Sequence, residues 1–225
     1  MAFGNGPRIV TDGLVLSLDA ADRNSYVSGS TTWSDLTGNT NGTLLGTIGY
    51  NNSAGGSLVF DGSSSYCLAP GIKSFSVPAT VSITCLRANV PNNYLLFWDA
   101  LTGAGGGRQQ RIFDTSILFV DTLSSQSFAP VSQMNVYSWT NTTYTITQTT
   151  ANVYVNGNLI VSNLATTYPM NTGSFGSNLY IGRVDSGASS FYFSGSVSNV
   201  GIYNRVLSAQ EVLQNYNALK SRFGL

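Results

Sequence analysis

Three sets of residues in this chain of 225 could do chemistry: its carboxylates, a few aromatics at strand ends, and a glycine run that ends in arginines. There is no histidine, which removes a Ser-His-Asp relay and the usual imidazole metal ligands. Glutamate occurs once, at Glu211, three residues after Ser208. The S-x-x-E spacing makes a capping box, in which Ser208 accepts from the backbone near Glu211 and the carboxylate reaches back to the cap. That commits the only glutamate to a helix start. Sugar binding without cleavage would stack an aromatic ring on a pyranose and hold its hydroxyls with Asn or Asp. Trp98, Trp139 and Tyr192 are the candidates, although Trp98 in LLFWDA (95–100) also reads as core and Trp33 in TTWSDLTGN (31–39) as packing for a turn-rich loop. The run TGAGGGRQQR (102–111) lacks the strand-loop-helix setting and the Lys-Ser/Thr ending of a phosphate cradle, so it reads as a mobile hairpin loop.

The elements that must position these residues are strands. Hydrophobic residues make up 42% and charged residues only 9%, so the surface is covered mainly by Ser, Thr, Asn and Gly. Ten basic residues balance ten acidic ones, which gives no long-range attraction for nucleic acid or an anionic membrane. The opening MAFGNGPRIV lacks the basic and apolar regions of a secretion signal, and no window approaches the ~18 uninterrupted apolar residues of a membrane span. The expectation is a soluble chain made without a Sec signal. Cys67 and Cys85 are then expected to be reduced and buried, and the Asn41, Asn51 and Asn141 triplets to be unmodified turns.

GLVLSLDA (13–20) alternates Leu14, Leu16 and Leu18 to one side, as a sheet with one buried face requires. SLVFDGSSSYCLA (57–69) reads as two strands reversed at Asp61-Gly62, and NVYVNGNLIVS (152–162) as a hairpin with a type I′ Asn156-Gly157 turn. TVSITCLRA, YLLFWDA, SILFVDT, TYTITQ, SNLYIGRV and FYFSGSVSNVGIYN add further β-branched or aromatic runs. So many short strands with no intervening helix predict an all-β, antiparallel jelly-roll β-sandwich. A single short C-terminal helix closes it over about 208–223, with Val212, Leu213, Tyr216, Leu219 and Phe223 as its apolar stripe and Gly224 as its stop. Residues 1–12 read as an extended arm and residues 13–225 as one domain.

TTWSDLTGNTNGTL (31–44), GSLVFDGSSSY (56–66), ANVYVNGNLI (151–160), NLYIGR (178–183) and FSGSVSNVGIYNRVLSAQEV (193–212) occur in the order found in laminin-G-like, concanavalin A-like domains. The resemblance covers about residues 9 to 215 and implies a two-sheet jelly roll with ligand or metal sites on rim loops. It departs from the family where SITCLRA stands in place of the usual mixed polar strand. Glycosidases on this fold carry an E-x-D-x-x-E strand, which a chain with one glutamate cannot form, so no enzymatic activity is expected. The family's occasional rim calcium would here use Asp99 and Asp185, which also fit plain Asx turns, the stronger reading; no other cofactor is expected.

GPRIVTDGLVLSLDAADRNSY (6–26) and NYNALKSRF (215–223) resemble versions carried by virion structural proteins of tailed bacteriophages, notably cyanophages. The expectation from that likeness is a capsid decoration or cement protein, made in the host cytoplasm and located on the virion. Its partners would be the major capsid protein or other virion proteins. The arm, with Phe3, Pro7 and Arg8, would add a strand to a neighbour, and a homo-oligomer, first a trimer, follows from capsid symmetry. The alternative is a lectin-like adhesin on a head or tail fibre, holding host glycan with or without calcium.

Overall fold

The computed structural model describes residues 7–72, 78–88, 94–98, 108–112, 116–121, 124–130, 136–165, 178–185 and 190–225. In chain order the strands are β1 (Leu14–Asp19), β2 (Thr32–Trp33), β3 (Gly42–Leu45), β4 (Gly49–Asn51), β5 (Ser57–Asp61), β6 (Tyr66–Pro70), β7 (Ala79–Arg87), β8 (Tyr94–Trp98) and β9 (Arg108–Ile112). They continue as β10 (Ser116–Asp121), β11 (Ser124–Pro130), β12 (Trp139–Ile146), β13 (Thr150–Val155), β14 (Asn158–Ala165), β15 (Asn178–Ile181), β16 (Arg183–Asp185), β17 (Ser190–Tyr192) and β18 (Ser194–Tyr203). One helix, α1 (Ala209–Leu219), follows, and a 3₁₀ turn continues it over Lys220–Phe223.

Two antiparallel sheets form a sandwich. The first has the order β14-β13-β12-β7-β18-β5-β4, with β1 on the same side of β18 as β5; the second has the order β11-β10-β9-β8-β15-β6-β3-β2. The core lies between them because the strands alternate. Val81, Ile83, Cys85, Val200 and Ile202 of the first sheet face Cys67, Ala69, Leu179 and Ile181 of the second, and all are at most 1% exposed. Each large side chain buried in this way contributes roughly 1.5–3 kcal/mol. Both cysteines are free and sit on opposite sheets, and burial pushes the Cys85 thiol up to about 12.

The TTWSDLTGN motif has a structural reason. Trp33 is fully buried, and the Asp35 carboxylate accepts from the backbone N–H of Ser17, Thr37, Asn39 and Thr40, which ties this loop to β1. Asn156 and Gly157 both take positive φ (49° and 76°), as a type I′ hairpin demands, and β13 pairs with β14. The Asp61-Gly62 reversal is a different object from the hairpin the sequence suggests. Its flanking strands lie in different sheets, β5 beside β18 and β6 between β15 and β3, so the turn carries the chain across the sandwich. Asp61 builds that turn by accepting from the N–H groups of Ser63, Ser64 and Ser65. Partial burial opposes its charge, yet these bonds and one from the Ser64 hydroxyl hold its carboxyl well below the usual range. The arginine run is also corrected: Arg108 to Arg111 belong to β9, which pairs with β8 and β10, and are not loop.

The closing helix lies on the outer face of the first sheet. Ser208 accepts from Glu211 N–H, and the Glu211 carboxylate accepts from Ser208 N–H at 2.8 Å, which completes the capping box. The apolar stripe is narrower than its spacing suggests. Val212 is buried, but Leu213 is 44% exposed at the edge of the contact, and the second inward position belongs to Asn215. Asn215 donates to the Tyr203 hydroxyl and accepts from Val10 N–H, while that hydroxyl donates to Val10 O. Gln214 reaches Arg8 O, and Arg205 bridges Asp12 and Glu211. Residues 8–12 of the expected arm are therefore strapped to the chain's own helix; Pro7 is exposed, and Phe3 lies outside the described residues.

Candidate functional site

Buried Cys67 and Ala69 on β6, and Leu179 and Ile181 on β15, turn their alternate neighbours outward. Tyr66 and Tyr180 therefore stand side by side on the outer face of the second sheet, with ring centroids 6.1 Å apart. After Ile181 the chain must leave the sheet, and Gly182 lets it. Its φ is +85°, and a Cβ there would come within 2.7 Å of the Phe60 ring. The next residue, Arg183, pairs with Tyr192 across β16 and β17. Its guanidinium carbon lies 4.9 Å from the centre of the Tyr66 ring, 5.8 Å from Tyr180 and 6.0 Å from Tyr192.

One cation shared by three rings fixes the group. A cation–π contact contributes about 0.5–1 kcal/mol at an exposed site and fades beyond ~6 Å, so Tyr66 is the principal partner. Tyr66 also lies 6.5 Å from Tyr192, and all four side chains are half-buried. The cluster is thus an aromatic surface with a planar five-donor group set into it. Stacking and hydrogen bonding are within its reach.

The residues singled out in the sequence take separate places. Tyr192 joins the cluster. Trp139 packs against Phe223, with ring centroids 4.8 Å apart, so one of its faces is spent on the C-terminal turn. Trp98 ends β8 at the ladder position opposite Leu179. Asp185 stands in β16 opposite Ser190, and Asp99 lies outside the described residues. Among the described residues no three His, Cys, Asp or Glu side chains gather as a metal site. Ser208 and Glu211 are bound to one another, and Glu211 is also bound to Arg205. The two bonds from Arg205 and the one from Ser208 N–H lower the Glu211 carboxyl to about 2, so it is ionised and occupied. Tyr66, Tyr180 and Arg183 are the members that sequence reasoning missed. Their outward register was readable from alternation, but the pairing of β6 with β15, which makes them neighbours, was not.

The family model for the concanavalin A-like lectin/glucanases superfamily matches residues 60–213. The chain belongs to that superfamily. No curated protein matches its sequence. Among solved structures it is similar to a Trypanosoma rangeli sialidase mutant displaying trans-sialidase activity, with TM-score 0.70, 16% identity, and 96% of this chain but 34% of that one covered. It is similar as well to domain 4 of AbnA, a GH43 extracellular arabinanase from Geobacillus stearothermophilus, in complex with arabinotriose. That match has TM-score 0.69 and 17% identity, and covers 90% of this chain and 98% of the domain. A third similar structure is the binding domain of botulinum neurotoxin DC in complex with rat synaptotagmin II, with TM-score 0.68, 14% identity, and coverage of 93% and 52%. The chain spans about a third of the sialidase. At these identities the likeness is one of fold.

Proposed function

We propose that this chain is a non-catalytic carbohydrate-binding module whose ligand lies on the outer face of the second sheet. The observation that carries the reading is the gathering of Tyr66, Tyr180 and Tyr192 around Arg183. A sugar ring has apolar faces of axial C–H groups and an equatorial belt of hydroxyls. Tyrosine rings take the first, and the guanidinium and phenol groups take the second. Membership of a lectin/glucanase superfamily and the arabinotriose complex of a similar domain support a sugar as ligand. The occupation of the single glutamate by a helix cap and an arginine supports binding without cleavage.

In the setting that the phage-type motifs suggest, such a module is an adhesin that holds host glycan at the virion surface. The decoration reading draws in part on an arm over residues 1–12, of which Arg8, Val10 and Asp12 are engaged by α1, Tyr203 and Arg205. A glycan array with purified chain tests the proposal. Selective binding is expected, to be lost in Tyr180→Ala and in Arg183→Ala while melting temperatures stay near that of the parent. Binding to no glycan, or binding indifferent to both substitutions, would refute it. Release of sugar from a bound polysaccharide, abolished by replacing one aspartate, would refute the non-catalytic part.

A further inference from the structure

The outer face of the first sheet is polar where α1 covers it. Thr80, Ser82, Thr84, Asn141, Thr143 and Asn199 point away from the core by alternation, yet each is at most 7% exposed. Much of this face is bonded to itself: Asn141 Nδ2 donates to the hydroxyls of Ser82 and Thr84, and the Thr143 hydroxyl donates to Ser82. The fit of helix to sheet is open at one place. Gly201 sits in the ladder between Ser17 and Ser82 and brings no side chain to that face, and a pocket of about 40 Å³ lies there against Asn215 and Leu219 of the helix. A Cβ at Gly201 would meet Tyr203 Cε2 at 3.8 Å and Leu14 Cδ1 at 4.0 Å, ordinary contacts with nothing nearer.

We infer that this pocket is a site for ordered water, with room for about three molecules at the ~10–15 Å³ that each requires, and that the water joins α1 to the sheet. Asn199 carries the inference. It lines the pocket, its Oδ1 accepts from the Thr84 hydroxyl at 3.1 Å, and its Nδ2 has no hydrogen-bond partner among the described residues. Turning the amide over would leave its carbonyl unbonded instead, so one end of the group needs a partner in either setting. Ser17 shares the lining; its N–H is given to Asp35, and its hydroxyl makes no hydrogen bond among the described residues. A buried amide left unpaired is rare because nothing offsets its lost hydration, whereas a bridging water restores the bond for a small loss of freedom. The one carboxylate in the lining, Asp19, is already taken by Ala21 N–H and by Arg222, so the pocket offers neutral groups and suits water over an ion. A water bonded to Asn199 can pass hydrogen bonds to the Ser17 hydroxyl and to the carbonyl of Asn215, the helix side chain that also holds Val10 and Tyr203. Solvent is then part of the joint between helix and sheet.

Water-¹⁷O magnetic relaxation dispersion of the full chain tests this, because it counts waters that stay bound while the protein tumbles and is blind to hydroxyl protons. Gly201→Ala is the deciding variant. Its methyl enters the pocket without a clash, on a backbone that is not left-handed, and fills roughly the space of one water. The dispersion amplitude is expected to fall by about one water or more relative to the parent. Asn199→Leu, which keeps the shape of the side chain and removes its amide, should lower the amplitude as well, and Tyr180→Ala, on the other sheet, should leave it unchanged. Melting temperatures show which variants are folded; if Asn199→Leu is not, Gly201→Ala decides alone. Equal amplitudes in the parent and in Gly201→Ala would overturn the water site. A fall in Gly201→Ala with none in a folded Asn199→Leu would overturn its assignment to that amide.

Discussion

Gly182 is the hinge on which both the sandwich and its candidate site turn, and Gly182→Ala tests that directly. Two costs add at this position. An L-residue at φ +85° loses about 1 kcal/mol relative to glycine. The new methyl would also stand 2.7 Å from Phe60 Cδ1 and 2.9 Å from its Cε1. Phe60 is only 2% exposed and packs edge-on against Phe193 at 6.2 Å, so it cannot swing into solvent. Overpacking of this kind costs roughly 1–3 kcal/mol. The sum is about 2–4 kcal/mol, which for a chain of this length lowers the melting temperature by roughly 5–15 °C. Thermal denaturation followed by tryptophan fluorescence measures it. Placing the same substitution in a Phe60→Leu background should recover part of the loss, because the clash and not the backbone angle is then relieved. A drop of less than ~2 °C would mean that neither cost is real. A loss unchanged by Phe60→Leu would mean that the contact is not the cause. Glycan binding should fall along with stability, since Arg183 is the next residue and its distance from Tyr66 depends on this turn.

Glu211→Ala removes the capping box and the Arg205 pair and should cost about 1–2 kcal/mol at neutral pH. Because its carboxyl is lowered to about 2, that contribution is present above the ~4.3 of an unfolded glutamate and is lost as pH falls towards 2. The difference between parent and variant in chemical denaturation should therefore narrow over that window, and a constant difference would refute the link. Native protein should resist thiol reagents, because Cys67 and Cys85 are at most 1% exposed and burial pushes both thiols up; two thiols should react in denaturant. Asn215→Ala leaves Val10 N–H without its acceptor and takes from the Tyr203 hydroxyl the donor it accepts from, leaving only its bond to Val10 O. It should cost about 1–3 kcal/mol and open the chain to trypsin after Arg8, read by mass spectrometry of the clipped product.

The parts of this protein that its sequence determined are those decided within a few residues. Alternation of buried and outward side chains gave the strands, since each β residue reverses the face of its neighbour. Asn156-Gly157 gave a hairpin, since both positions need positive φ, and Ser208 with Glu211 gave the helix start, since a capping box spans one turn. Asp61-Gly62 marks where local chemistry ended. The turn was legible, but whether it joined partners in one sheet or crossed to the other depended on which strands β5 and β6 later met. The helix face was half legible for the same reason, because Asn215 is buried on account of Tyr203 and Val10, residues that no helical period contains. The site belongs wholly to this second kind. Tyr66 and Tyr180 are 114 positions apart, and only the ladder between β6 and β15 sets their rings side by side under Arg183. Pairing between distant strands is settled by the packing of the whole core, and so the tertiary structure alone decided it.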